Sequence, residues 1–348
     1  MTEHLVIPFA ACAGPAWASA MKTLPAGSFQ HLGKLLQGMQ HVHTHTGDAA
    51  SLSPPHDRVL AAALGLPDTA DGLIPWAALE ADTAGMPAGR PWAFITPCHW
   101  AMGREHATLT DPAGLALTVD DARTLVAAMQ PYFGTEGITL HPITPGRWLA
   151  QGEVFRDLPT ASLDRVLGRN VDAWLPGSST VKQFADGLPK KTVAVPGSSV
   201  SHEAKSVGAT IRRLQNEMQM LLYTHPLNDA RSAMQQRTVN SFWISGSGAL
   251  AATSHSTKAA ETNTLTVPRS LAQAVFADDW AAYAAAWAAL DAGEIAQLLA
   301  HQKAGDTVRL TLCGESHAQT FESAKIGLLS RISNLFNAKP PISLLEQL

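Results

Sequence analysis

The clearest amphipathic signal in the chain runs through residues 207–222, where Val207, Ile211, Leu214, Met218, Leu221 and Leu222 recur at helical spacing. Arg212, Arg213, Gln215 and Asn216 are assigned to the opposite, polar face, and Pro226 stops the pattern. Similar spacing predicts helices around Phe29–Leu36, over 57–66, from Thr118 to about Phe133, over Asp164–Trp174, near 278–303 and over about 325–337. The helix after Thr118 carries its own start signal, a hydroxyl cap with Asp121 three residues on. Continuous or alternating apolar runs predict strands at HLVIPFA (4–10), WAFITP (92–97), EHATLTD (105–111) and TVRLTLC (307–313). GITLHPI and RWLAQGE flank Thr144-Pro145-Gly146, the pattern of a hairpin or tight corner. Residues 176–205 have little periodicity and repeat PGSS at both ends of a Lys-, Gly- and Pro-bearing stretch, so they read as a surface loop or insertion. Helices alternating with well-spaced strands indicate an α/β layered architecture.

Composition narrows the function classes. With 348 residues, 46% of them hydrophobic and 16% charged, the chain can bury one large core, or a core plus an inserted domain. A net charge of −4 and a pI near 6.4 leave no electrostatic footprint for nucleic acid. No apolar run approaches the roughly 20 residues that span a bilayer, so no membrane partner is expected. The opening MTEHLVIPFAACAG lacks the basic region of a signal peptide, and Cys12, Cys98 and Cys313 are scattered; both point to a reducing, cytoplasmic setting.

Candidate chemistry concentrates between residues 222 and 248. His225, Asn228 and Arg231 form a polar group at the end of the long helix, where Arg231 offers a bidentate clamp for a phosphorylated ligand. The plainer alternative is that these side chains cap the helix end. Asn240, Ser241 and Gly246-x-Gly248 form either an anion nest or a tight turn at a strand end. Asp164 is a further ligand-binding candidate, against a helix cap flanked by solvent-facing Arg165 and Arg169. His41, His43 and His45 alternate in HVHTHTGD; on a strand they share a face and suit zinc, and otherwise they belong to a polar surface loop. His99 is a candidate ligand in TPCHWAMG. Neither G-x-S-x-G nor a P-loop occurs.

The succession Leu222, His225, Pro226, Asn228, Arg231, then Asn240, Trp243, Gly246 and Gly248, resembles a block of the archaeal-type cofactor-independent phosphoglycerate mutases of the alkaline phosphatase superfamily. Upstream, TDPAGLALTVDDARTLVAAM and PTASLDRVLGRNVDAWLPG are similar to two further segments of that family, although Leu163 stands where the second has a His. The resemblance covers about Trp92 to Gly248 without the 176–205 stretch. It implies an α/β fold: an alkaline-phosphatase-like layered core (1–90 and 235–348) with an inserted α+β, substrate-type domain (91–234). It also implies an intramolecular phosphotransferase that moves a phosphoryl group between the 3- and 2-positions of glycerate, through a phosphoserine held by two divalent metals, commonly manganese or zinc.

Such a centre needs several Asp, Asn and His ligands and a serine nucleophile. The family pattern implies an Asp-Gly at the end of the first strand and Asp-His pairs late in the chain. Here the first strand ends Ile7-Pro8-Phe9-Ala10, and the nearest late candidates are Glu315 and His317. Ser28 lies near a nucleophile's place but has no plausible metal ligand beside it. The expectation is therefore a phosphoglycerate mutase-like protein with no metal cofactor, binding a phosphorylated small molecule through His225, Asn228, Arg231, Asn240, Ser241 and Asp164. The alternative is an active mutase or metal-dependent phosphohydrolase with a rearranged two-metal site, manganese or zinc, drawing on His99, Glu315, His317 or the 41–45 histidines. A third reading is a structural protein that binds a protein partner.

Overall fold

The structure is a computed structural model and describes residues 2–25, 27–104, 106–176, 200–251, 263–323 and 340–348. The helix expected over 325–337 and most of the 176–205 loop lie outside the described residues. The strands are β1 (Thr2–Ile7), β2 (Met39–Thr46), β3 (Pro91–Cys98), β4 (Trp100–Met102), β5 (Ala107–Leu109), β6 (Thr139–Thr144), β7 (Arg147–Gln151), β8 (Ser241–Ala249), β9 (Asn263–Thr266), β10 (Thr307–Cys313) and β11 (His317–Ser323). They divide between two compact units, one built from 1–49, 54–67 and 256–348, the other from 50–53 and 68–255. The fold class is mixed α/β with a mixed sheet.

In the first unit the sheet order is β2-β11-β10-β1-β9. β1 runs parallel to both β10 and β9, whereas β11 is antiparallel to β10 and β2. Alternation in β1 and β10 sends Leu5, Ile7, Leu310 and Leu312 to one face, where they pack with Trp17, Leu32, Leu35, Tyr283, Trp287 and Leu298 from the helices. Val6, Cys313 and Ala318 face the other way and meet Val59 and Leu60 of the Pro55–Ala63 helix. The helix expected near 278–303 runs from Trp280 to Ala304 and includes a π-helical turn at Asp291–Ile295. Asp291 is buried there; its carboxylate accepts from the backbone N–H of His31 (3.0 Å) and Leu32 (2.8 Å) and bonds His31 Nδ1 (3.1 Å). It thus satisfies the open N-terminal amides of the Gln30–Gln37 helix.

The HVHTHTGD segment folds as the edge strand β2, not as a loop. Its pairing with β11 slips between Thr320 and Phe321: His43 lies opposite Thr320 and His45 opposite Ala318, but His41 lies opposite Phe321. One extra residue, Val42, makes a β-bulge that turns His41 to the other face, its ring centroid 5.5 Å from that of Phe321. The three histidines therefore do not share a face.

The second unit holds an antiparallel sheet, β6-β7-β3-β8, and the small β4–β5 hairpin. One face of the larger sheet packs Ala93, Ile95, Trp148, Phe242 and Ile244 against Leu125, Met129 and Phe133 of the Val119–Thr135 helix and Ile211, Leu214, Met218 and Leu222 of the Val200–Tyr223 helix. Gln215, assigned to the polar face by sequence, is buried and its side-chain amide reaches the Phe242 carbonyl at 3.4 Å. The Val200–Tyr223 helix also begins inside the stretch read as a loop. Thr118 and Asp121 form the expected capping box, and β6 and β7 form the expected hairpin across Pro145-Gly146.

The helix expected over Asp164–Trp174 is instead one turn, Leu163–Val166, and a later 3-10 turn, Asp172–Trp174. Gly168 (φ 71°) ends the first turn, and bridges Leu109–Leu167 and Thr108–Asn170 draw the chain alongside β5. Val166, Leu167, Val171 and Trp174 are buried all the same, so the periodic apolar pattern marks burial here and not helix. Among the described residues no helix is long and apolar enough to cross a membrane.

Candidate functional site

The Val200–Tyr223 helix ends just before His225, which caps the next helix, Pro226–Ala233, through Nδ1 accepting from Leu227 N–H at 3.1 Å. Pro226 sits at the first position of that helix, where its missing N–H costs nothing. Asn228 is buried; its amide donates to the carbonyls of Leu222 (2.8 Å) and Val239 (2.6 Å), and its oxygen accepts from Val239 N–H (2.9 Å). Arg231, 3% exposed, donates from Nε to the Arg237 carbonyl (2.8 Å) and from Nη2 to the Leu115 carbonyl, and pairs through Nη1 with Asp121 at 3.4 Å. These side chains clasp the helix end, the capping box and the lead-in to β8. Asn228 and the Arg231 guanidinium are largely occupied by that work, whereas His225 keeps Nε2–H as a donor.

Asn240 and Ser241 follow directly. Asn240 Oδ1 accepts from Trp100 N–H (2.7 Å) while its Nδ2 donates to the Trp100 carbonyl (3.0 Å), so one side chain closes both backbone bonds of the residue that starts β4. His99 Nδ1 donates to the Thr238 carbonyl at 2.9 Å, which fixes its proton on that nitrogen. Ser241 lies opposite Cys98 and is 1% exposed, and among the described residues its hydroxyl has no hydrogen-bond partner, whereas the buried Trp100 indole N–H is directed at the Cys98 thiol. An orphaned buried hydroxyl is unusual, since such a group costs roughly 1–3 kcal/mol when unsatisfied. Gly246 and Gly248 lie within β8 and not at a turn beyond it. Gly246 has φ 61°, and a Cβ there would lie 3.0 Å from Phe94 Cδ2 and from Trp76 Cβ, so the glycine serves a bulge and the close seating of the Trp76–Thr83 helix.

Asp164 stands on a separate segment and is half-buried; the N-cap of its turn is Ser162. Beside it, Arg165 is 2% exposed, so the solvent-facing reading of this arginine is wrong. Its Nη2 donates to Ser51 Oγ at 3.0 Å, and Ser51 Oγ donates to the Ser53 carbonyl at 3.0 Å. The Asp71 carboxylate takes the N–H groups of Leu52 (2.6 Å) and Ser53 (2.9 Å), while Ser53 Oγ accepts from Gly72 N–H (3.0 Å). Thr160 and Ser247 continue the network, their hydroxyls 2.8 Å apart. Sequence reasoning passed over Ser51, Ser53 and Asp71, because residues far apart in the chain meet only through these loops. The one available cue was the Ser-Leu-Ser stretch ahead of two prolines.

In the first unit the end of β1 is closed by apolar and aromatic packing. Phe9, with φ 55°, lies between His56 (ring centroids 5.4 Å) and Phe276 (5.1 Å). The Tyr283 hydroxyl shares its proton between the carbonyls of Phe9 (2.9 Å) and Ala10 (3.0 Å) and accepts from the indole N–H groups of Trp17 and Trp287, each at 3.2 Å. Ser28 is buried and its hydroxyl closes a turn on the Pro25 carbonyl at 2.7 Å. Glu315 and His317 flank the β10–β11 turn, where His317 N–H donates to the Leu348 carbonyl at 3.0 Å. Among the described residues no three His, Cys, Asp or Glu side chains stand together as a metal-holding group.

No family model and no curated protein matches the chain. Among solved structures, a cofactor-independent phosphoglycerate mutase from Thermoplasma acidophilum DSM 1728 is similar at 11% identity and a TM-score of 0.32, over 96% of this chain and 95% of that one. The PH0037 protein from Pyrococcus horikoshii is similar at 10% identity and a TM-score of 0.39, over 93% and 87%. At these values neither likeness transfers a residue role.

Proposed function

We propose that this chain is a phosphoglycerate mutase-like protein that binds a phosphorylated small molecule and does not run two-metal phosphoryl transfer. In this reading the first unit is an alkaline-phosphatase-like core and the second an inserted ligand domain. The ordered run Leu222, His225, Pro226, Asn228, Arg231, Asn240, Trp243, Gly246, Gly248 supports the family. The observation that carries the loss of catalysis is the closed end of β1. Where the mechanism asks for an anionic metal anchor, Phe9 packs between His56 and Phe276, and its carbonyl is tied to Tyr283. A carboxylate there would need either a partner cation or the dismantling of that packing. For the ligand, Asn228, Arg231 and Asn240 hold the framework, and the Ser241 hydroxyl, His225 Nε2–H and Asp164 supply the contacts.

The test pairs two measurements on the untagged protein. Phosphoryl transfer on 3-phosphoglycerate with added manganese or zinc is expected to be absent. A thermal-shift panel of phosphorylated metabolites is expected to contain a stabilising compound, worth about 2.7 kcal/mol at 100 times its Kd. Ser241→Ala should weaken that response. Chelator-sensitive turnover with two bound equivalents of metal overturns the reading in favour of an active mutase or phosphohydrolase. A panel with no response favours the structural, partner-binding reading.

A further inference from the structure

The histidine-bearing edge strand is not used by the function proposed above, and its geometry differs from what the sequence pattern implies. Among the described residues β2 is the outermost strand of the first unit's sheet and pairs only with β11. His43 and His45 occupy alternate positions after the bulge and lie opposite Thr320 and Ala318, on the same face of the strand. His43 is exposed and His45 half-buried. His41, before the bulge, lies on the opposite face, its ring near Phe321 and its Nε2 2.8 Å from Thr44 Oγ1. Two imidazoles two residues apart on one face of a strand can reach a common point above that face.

We propose that His43 and His45 form an open, two-imidazole site for a borderline divalent cation: copper, nickel or zinc. Imidazole nitrogen suits these ions, with copper favoured, and does not suit magnesium or calcium. No third His, Cys, Asp or Glu joins the pair among the described residues, so water fills the remaining positions and the ion exchanges readily. Each imidazole donates from one nitrogen and keeps the other for a hydrogen bond, the usual arrangement of a metal-bound histidine. The site takes one ion per chain and needs no phosphorylated ligand. That separates it from the two-metal, turnover-linked result that overturns the functional proposal.

The experiment is titration of the untagged, metal-stripped protein with copper(II), nickel(II) and zinc(II) chlorides by calorimetry, with the copper complex read by electron paramagnetic resonance. The expected result is one saturable site per chain, tightest for copper, with nitrogen coupling from imidazole. His43→Asn and His45→Asn should each abolish the saturable step, and His41→Asn should leave it in place, since the bulge turns that ring away. Thermal melts of the three variants without metal check that the strand still folds. Saturable binding that survives both His43→Asn and His45→Asn, or that is lost equally in His41→Asn, overturns the proposal; so does the lack of any saturable step.

Discussion

Tyr283 shows how a single hydroxyl organises the first unit. One proton is shared between two carbonyls and two lone pairs receive two indole N–H groups, so every hydrogen-bonding capacity of the oxygen is used inside the core. Burial pushes the phenol pKa far above its ordinary range, which keeps the proton on the oxygen that must donate it. Tyr283→Phe leaves four buried polar groups short of a partner and is expected to cost about 2–4 kcal/mol, read as a lower urea midpoint at unchanged slope. His4 is a second residue with a global readout. It is buried, 2.9 Å from Thr311 Oγ1, and burial, aided by the Arg309 charge, lowers its pKa from 6.5 to about 4. Below pH 6.5 the unfolded chain therefore takes up the proton before the folded one does. Stability is complete above that pH and falls as pH drops towards 4, by about 3 kcal/mol for this group. Denaturant midpoints measured from pH 7 to pH 4 should show this decline, and His4→Gln should flatten it.

At the scale of elements, β8 is where sequence and structure are most tightly joined. All of Ser241–Gly248 is buried: one face meets the long helices and the other the Trp76–Thr83 helix. The bulge against β3 requires a residue that tolerates φ 61° with no side chain. Gly246→Ala is expected to destabilise the second unit by about 1–3 kcal/mol, through strain and overpacking against Phe94 and Trp76. Thermal denaturation checks it, and an unchanged melting temperature would mean that the helix can move aside. The contrast between two helices is instructive. Val119–Thr135 was legible because a cap, an acid at the third position and an apolar stripe agree. Asp164–Trp174 carried the stripe without a cap bond, and pairing with β5 through Leu167 and Asn170 decided its shape.

For the whole molecule, the two units have separate cores, one around Tyr283 and Trp287, the other around Phe133 and Trp148. Cys313 lies in the first unit and Cys98 in the second, both fully buried, and burial raises both thiol pKa values well above their ordinary range. Both thiols should be inert to a thiol reagent in the native protein and should react only as their unit opens. Mass spectrometry of labelled peptides along a urea series therefore reads each unit by itself. Rapid native labelling of either thiol would show that its core is not closed.

The apolar periodicity alone determined most of the buried faces, the long helices, the hairpin at Pro145-Gly146 and the strand Thr307–Cys313, because each depends on contacts or turn chemistry within a few residues. The split of the His41–His45 run between two faces came only from the tertiary structure, since a one-residue bulge is set by the partner strand. The same holds for the burial of Arg165 beside Ser51 and for the commitment of Asn228 and Arg231 to backbone carbonyls. Those side chains are polar in any sequence reading, and only the segments that fold against them determine whether they face a ligand or hold the chain together.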